Sequence, residues 1–322
     1  MSDKTVTKNT GYINKLGRAI IIRAKKISMP GFDGIPIYDV IAFFLRGIQN
    51  GALTTRASSI AFHFCLALLP ALIYFFTLIP HIPIPNFQEG LLSLIEDILP
   101  ANVYDLLVDT LNDMFVKRKT LQFFGLIIAL FFATSGLNGM FVAFNATYHT
   151  IESRTWYERR IIAALLVLIM FILLTIAVSL IIFSRFTINT LVEMEIIRKS
   201  LTLYLLIAGK WIIIIGSILT AVSFLYYLGP SRKMKWRFYS TGSTFASVLI
   251  IVTSLVFTYI INHFGQFNKF FGTIGTAIVI LLWLYFNSIA LLIGFELNAS
   301  IKNARLVMDE DRGIQDLNPK EL

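Results

Sequence analysis

The chain has 322 residues and a formal net charge of +9, with 56% hydrophobic and only 15% charged residues, against roughly 25% charged in an ordinary soluble protein. These fractions exclude a soluble globular enzyme, and a mean hydropathy of +0.73 excludes disorder, which requires low hydrophobicity. What remains is an integral membrane protein with basic edges.

Residues 1–56 form a basic N-terminal segment with nine Lys or Arg. Its one early apolar patch, Ala19 to Ile22, is short and lies among Lys15, Arg18, Arg23, Lys25 and Lys26, so no cleavable signal peptide is expected. Further on, Ile37, Val40, Ile41, Phe44, Leu45 and Ile48 recur at helical spacing. They predict an amphipathic helix that either lies along the membrane interface, drawn by anionic headgroups, or packs beneath the bundle.

A helix rises about 1.5 Å per residue, so about 20 apolar residues cross the roughly 30 Å hydrocarbon core. Six stretches qualify: 57–80, 121–144, 161–184, 201–228, 240–262 and 272–297. None alternates apolar and polar residues as a membrane β-barrel strand does. The expected fold is therefore all-α, a polytopic bundle of six transmembrane helices over 57–297. The connection 81–120 is long for a bundle. Val103, Leu106, Leu107, Leu111, Met114 and Phe115 make one apolar stripe after Pro100, and a shorter helix is expected over Leu91–Leu99. Residues 298–322 form a tail.

Cytoplasmic loops retain Lys and Arg. Residues 1–56, 145–160, 229–239 and the tail hold nine, three, four and four of them, whereas 81–120, 185–200 and 263–271 hold three, three and one. Both termini are therefore expected in the cytoplasm, with the helices of 81–120 on the opposite side. This distribution accounts for the basic charge as topology, so no nucleic-acid partner is expected. Lys210 alone falls outside both sets.

The single cysteine, Cys65, can form no intrachain disulfide, and His63, His81, His149 and His263 show no zinc-site spacing. No GxxxxGK loop is present. The expectation is a protein without metal, cofactor or enzymatic chemistry.

Lipid offers no hydrogen-bond partners, so polar residues within spans should face other helices or water. Ser59, His63, Pro70, Tyr74 and Thr77 share one face of the first span, and Thr134, Asn138 and Asn145 one face of the second. Ser240, Ser247, Ser254, Thr258 and Asn262 line the fifth, and Thr276, Trp283, Asn287, Gly294 and Asn298 the sixth. Close helix packing explains such stripes as well as a polar cavity does. The candidate pathway residues are Lys210, near mid-depth of span four, with His63, Asn138, Asn145, Asn287, Ser247 and Ser254; the Lys210 ammonium either faces the bundle interior or snorkels to the outer surface on its long stem. Glu296, the one acid within a predicted span, is expected to pair with Arg56 or Arg46 at the helix ends.

Three blocks then resemble one family. Arg56-Ala-Ser-Ser-Ile-Ala-Phe-His-Phe-Cys-Leu-Ala-Leu-Leu-Pro70 is similar to the opening span of the YihY/BrkB family of bacterial inner-membrane proteins, formerly named ribonuclease BN-like. Phe144-Asn-Ala-Thr-Tyr148 with Arg154-Thr-Trp-Tyr-Glu-Arg-Arg160 resembles its second block. Phe271-Gly-Thr-Ile-Gly275, Leu282-Trp-Leu-Tyr285 and Gly294-Phe-Glu-Leu-Asn298 resemble its closing span. The chain differs from the family at His63-Phe64 and at Phe295. The resemblance covers about residues 40–300 and implies six spans in the bacterial inner membrane. A nuclease needs carboxylates or histidines converging on metal or phosphate, and the basic loops offer only Glu152 and Glu158. Two functions are expected to compete: a transporter or flippase, not driven by ATP, for a lipid or anionic solute, and a non-transporting scaffold for cell-envelope partners. Membrane lipids are the expected surroundings, and the oligomeric state is open.

Overall fold

The computed structural model describes residues 27–28, 31–32, 34–50, 52–78, 87–96, 108, 119–147, 152–193, 201–231, 238–263 and 267–311. Helix is the only regular structure among them. The helices are α1 (Ile37–Asn50), α2 (Leu53–Leu78), α3 (Phe87–Glu96), α4 (Lys119–Thr147), α5 (Trp156–Glu193), α6 (Leu201–Leu228), α7 (Thr241–His263) and α8 (Phe267–Asp311). Among the described residues four segments are long and apolar enough to cross a membrane, Trp156–Phe183, Trp211–Leu228, Thr241–Ile260 and Ile278–Met308. The chain is a helical membrane protein. α2 and α4, of 26 and 29 residues, cover the first two predicted stretches.

Local chemistry sets the helix starts. Thr155 donates its backbone N–H to the Glu158 carboxylate at 2.8 Å, the carboxylate half of a capping box that opens α5. At α7, Ser240 and Ser243 bond each other's backbone N–H groups at 3.1 and 3.0 Å, so two donors without intrahelical partners are satisfied. Ala52 joins α1 to α2 with φ 45°, a left-handed conformation that a residue with a Cβ adopts at a cost.

The helices meet most tightly at one end of the bundle, here termed the basal end. It gathers α1, the start of α2, the ends of α4 and α6, the start of α7 and the last third of α8. Phe141, Phe144, Leu166, Tyr226, Leu292 and Phe295 belong to one buried cluster there. Phe144 and Phe295 stack with centroids 4.2 Å apart, and Tyr226 meets both edge-on. The Tyr226 hydroxyl donates to the Leu291 carbonyl at 2.6 Å, which satisfies the one polar atom of the trio.

α1 shows a divided surface. Val40 is fully buried with Phe32, Ile35, Ile301 and Ala304, and Ile37 and Phe43 pack on the same cluster, whereas Ile41 and Leu45 are about half exposed at 48% and 52%. The apolar stripe predicted as one face is thus shared between α8 and the surroundings. α8 makes this possible by continuing beyond the predicted end of the sixth span, through residues expected in the tail, to Asp311. No Gly or Pro interrupts 298–311, so nothing stops the helix. At the other end of the bundle, α3 begins at Phe87, four residues before the expected helix over Leu91–Leu99, and packs on α5, where Gly90 abuts Ile182. The helix expected over 103–115 lies outside the described residues, apart from Val108, which is helical.

Candidate functional site

Three polar knots occupy the basal end. In the first, Arg56 of α2 donates through Nη1 to the Ala143 carbonyl at 3.1 Å and to Thr147 Oγ1 at 2.7 Å, both on α4. Its Nη2 lies 3.6 Å from Glu296 Oε2 of α8, with side chains only 11% and 8% exposed. Gly47 of α1 covers this pair so closely that a Cβ there would fall 2.8 Å from Glu296 Cδ. Four helices therefore converge on one buried ion pair, and the small residue on the fourth is what admits the carboxylate.

In the second, Glu152 accepts from Arg154 Nε and Nη2 at 2.8 and 2.9 Å and from Asn145 Nδ2 at 2.7 Å. Asn145 Oδ1 accepts in turn from the Ser231 N–H at 2.9 Å. Arg154 also donates to the Leu228 and Gly229 carbonyls at 3.2 and 2.7 Å, placing a cation on the C-terminus of α6, where the helix dipole favours it. Burial acts to raise the Glu152 carboxyl, but the hydrogen bonds from Arg154 and Asn145 and the Arg154 charge outweigh it and hold that carboxyl below the usual range.

In the third, Asn298 of α8 caps α7. Its Oδ1 accepts the Gly242 N–H at 2.8 Å and its Nδ2 donates to Ser240 Oγ at 2.7 Å. The two helices touch backbone to backbone here: a Cβ on Gly242 would strike the Gly294 carbonyl oxygen, and one on Gly294 would lie 2.6 Å from the Ala246 methyl. Small residues allow that approach.

The candidate pathway residues fall into separate places. Asn145 belongs to the Glu152 knot. Ser247 is buried and returns its hydroxyl to the Ser243 carbonyl at 2.7 Å. Further from the basal end, Ser254 accepts from Trp283 Nε1 at 3.3 Å, and Asn287 donates to the Trp283 carbonyl at 2.7 Å. His63 Nδ1 donates to the Ser59 carbonyl at 2.7 Å, and Gly139 of α4 lies against its ring. Asn138 and Asn287 each keep a buried side-chain oxygen with no hydrogen-bond partner, as does Ser223. The Lys210 side chain lies outside the described residues. No group of three or more His, Cys, Asp or Glu among the described residues could hold a metal.

Arg56, Asn145, Arg154, Glu296 and Asn298, drawn from blocks far apart in the chain, thus meet at one end of the bundle. The family model described as virulence factor BrkB matches residues 44–316, which include all of them. The chain belongs to the BrkB family. A Bacillus subtilis protein named as ribonuclease-like, YfkH, is 28% identical over 258 residues, 80% of this chain and 93% of its own length. A UPF0761 membrane protein of Mannheimia succiniciproducens is 23% identical over 284 residues, 87% of this chain and 96% of that one. Another, from Tolumonas auensis, is 24% identical over 264 residues, 81% and 84% of the two chains. No solved structure matches. Among these BrkB-family residues, sequence reading had singled out Arg56, Asn145 and Glu296 as candidates. Gly47, Glu152, Arg154 and Gly242 were not singled out as candidates, because a glycine or a loop charge carries no periodic signal until its neighbours are in place.

Proposed function

We propose that this BrkB-family protein crosses the bacterial inner membrane six times, with both termini cytoplasmic, and moves a lipid or an anionic solute without ATP. α2 and α4 supply the two spans beyond the four apolar segments, and the basal end faces the cytoplasm. The excess of Lys and Arg in the segments that meet there supports that orientation.

The observation that carries the transport reading is the set of unmet buried oxygens on Asn138 and Asn287. A buried polar atom left without a partner costs about 1–3 kcal/mol, and hydrocarbon supplies no partner. A passing polar headgroup or solute would satisfy these atoms in turn. The ribonuclease-like name of the Bacillus relative draws no support from the carboxylates of the basal end, since Glu296 and Glu152 each face an arginine.

The test is reconstitution. Purified protein in vesicles should accelerate transbilayer movement of labelled phospholipid or uptake of a labelled organic anion, and Asn138→Leu with Asn287→Leu should cut that rate about tenfold while helix content and elution stay unchanged. Lys210→Met should act in the same direction. Transport unaltered by all three substitutions sinks the pathway, and silence of the wild type, together with capture of envelope proteins through residues 85–116, favours the scaffold.

A further inference from the structure

Arg160 was counted among the basic connections, yet its guanidinium lies against the middle of α4. Nη1 donates to the Phe131 carbonyl at 3.0 Å, to Thr134 Oγ1 at 2.6 Å and to Ser135 Oγ at 3.0 Å. Arg160 stands one turn past the start of α5 at Trp156, and its side chain reaches Phe131, about 20 Å from either end of α4 by the 1.5 Å rise per residue, so this cation is fastened to the flank of a second helix and not loose in a connection. Its Cζ lies 4.2 Å from the Phe131 ring centroid and 5.5 Å from that of Trp156, a slot with an aromatic ring on two sides.

Two facts make the slot incomplete. All of the bonds that Arg160 makes to protein leave through Nη1, so Nε and Nη2 have no protein acceptor among the described residues. No carboxylate among those residues is within ion-pairing distance of it either, in contrast to Arg56 and Arg154. An arginine held in apolar surroundings without a counter-charge is costly, and two free N–H donors in one plane match the oxygens of a phosphate. The surface around the slot is apolar and open: Phe131, Trp156 and Ile161 are 53%, 63% and 65% exposed, with Ile128 beside them on α4.

We propose that Arg160, with Phe131 and Trp156, forms a binding site on the lipid-facing surface of α4 and α5 for the phosphate headgroup of an anionic membrane lipid. The guanidinium takes the phosphate through Nε and Nη2, and the exposed apolar side chains flank the acyl chains. The source is a lipid and not a free anion because the open wall of the slot is hydrocarbon-like. The site requires only membrane residence and stands whether or not the protein transports anything.

Tryptophan fluorescence tests it in a full-length chain whose other three tryptophans are replaced by Phe, leaving Trp156 as reporter. Reconstituted with brominated phosphatidylglycerol or brominated phosphatidylcholine in a non-brominated background, Trp156 should show about tenfold tighter quenching by the anionic lipid, equivalent to about 1.4 kcal/mol. Arg160→Gln should abolish the preference. Because loss of Nη1 also frees α4 from α5, Arg160→Lys is the companion variant: it keeps the charge, and its single ammonium, engaged by Thr134 and Ser135, should retain at most a third of the preference. Arg159→Gln, which removes the neighbouring charge, should leave it intact. Equal quenching by the two lipids, an Arg160→Lys response identical to wild type, or an equal loss in Arg159→Gln would overturn the site. Reversal of quenching by millimolar inorganic phosphate would overturn the lipid assignment.

Discussion

At the residue scale, the buried Arg56 and Glu296 pair decides how the basal end responds to substitution. Taking both charges out of water is expensive, and their attraction offsets that only while both are present. Glu296→Leu leaves Arg56 without its carboxylate beneath Gly47, and Arg56→Met takes from Glu296 the cation 3.6 Å away, so each single change should destabilise by roughly 3–5 kcal/mol. The double replacement Arg56→Met with Glu296→Leu removes both desolvation costs and should recover most of the loss, the remainder reflecting the Arg56 bonds to Ala143 and Thr147. Thermal unfolding of the four proteins in one detergent gives the cycle, and additive losses would show that the two groups do not interact. Sequence reading reached this pair because an acid inside an apolar span needs a cation at its own depth. It did not reach Arg160, because two arginines before an apolar run look like topology, and only the placement of α5 beside the middle of α4 changes that.

At the element scale, helices were legible and their junctions were not. The apolar stretches located all six long helices among the described residues, since about 20 consecutive apolar residues have few alternatives. Their ends moved wherever local chemistry overrode hydropathy. α5 begins at Trp156 because Thr155 and Glu158 cap it, five residues before the apolar run starts at Ile161, and α8 outlasts the hydrophobic stretch because nothing in 298–311 breaks it. The α7–α8 crossing depends on two glycines that hydropathy does not register. A Cβ at Gly242 meets the Gly294 carbonyl oxygen, which is backbone and cannot rotate away, so Gly242→Ala must push the helices apart and stretch the Asn298 cap. An overpacked contact of this kind costs about 1–3 kcal/mol. Thermal unfolding of Gly242→Ala beside the wild type in one detergent should show that loss as a lower midpoint. An unchanged midpoint would mean that the crossing tolerates the methyl group.

At the scale of the whole molecule, α8 organises the basal end. Its 45 residues span about 67 Å at 1.5 Å per residue, more than twice the roughly 30 Å hydrocarbon core, so about half of the helix must stand outside hydrocarbon or cross it at a steep tilt. The outer part is not idle. Ile301 and Ala304 bury Val40, Phe32 and Ile35, and the turn before α1 is fastened in addition by the bond from Thr241 Oγ1 to the Gly31 carbonyl at 2.8 Å. α1 and the described residues just before it are therefore held by the last third of α8 and the start of α7, although some 200 residues or more separate them in sequence. Ala304→Asp places a charge in that contact at a position where Ala304 is only 3% exposed, and burying an unpaired carboxylate is strongly unfavourable. It should release α1 without unfolding the bundle, because the Phe144, Tyr226 and Phe295 cluster does not include it. Hydrogen exchange in nanodiscs checks this: amides of 37–50 should lose protection by an order of magnitude or more, while those of 240–260 stay within twofold of wild type. If both regions loosen together, α1 is part of the same cooperative unit as the spans. If neither changes, the exposed Ile41 and Leu45 face, held by the membrane interface, is enough to keep α1 in place.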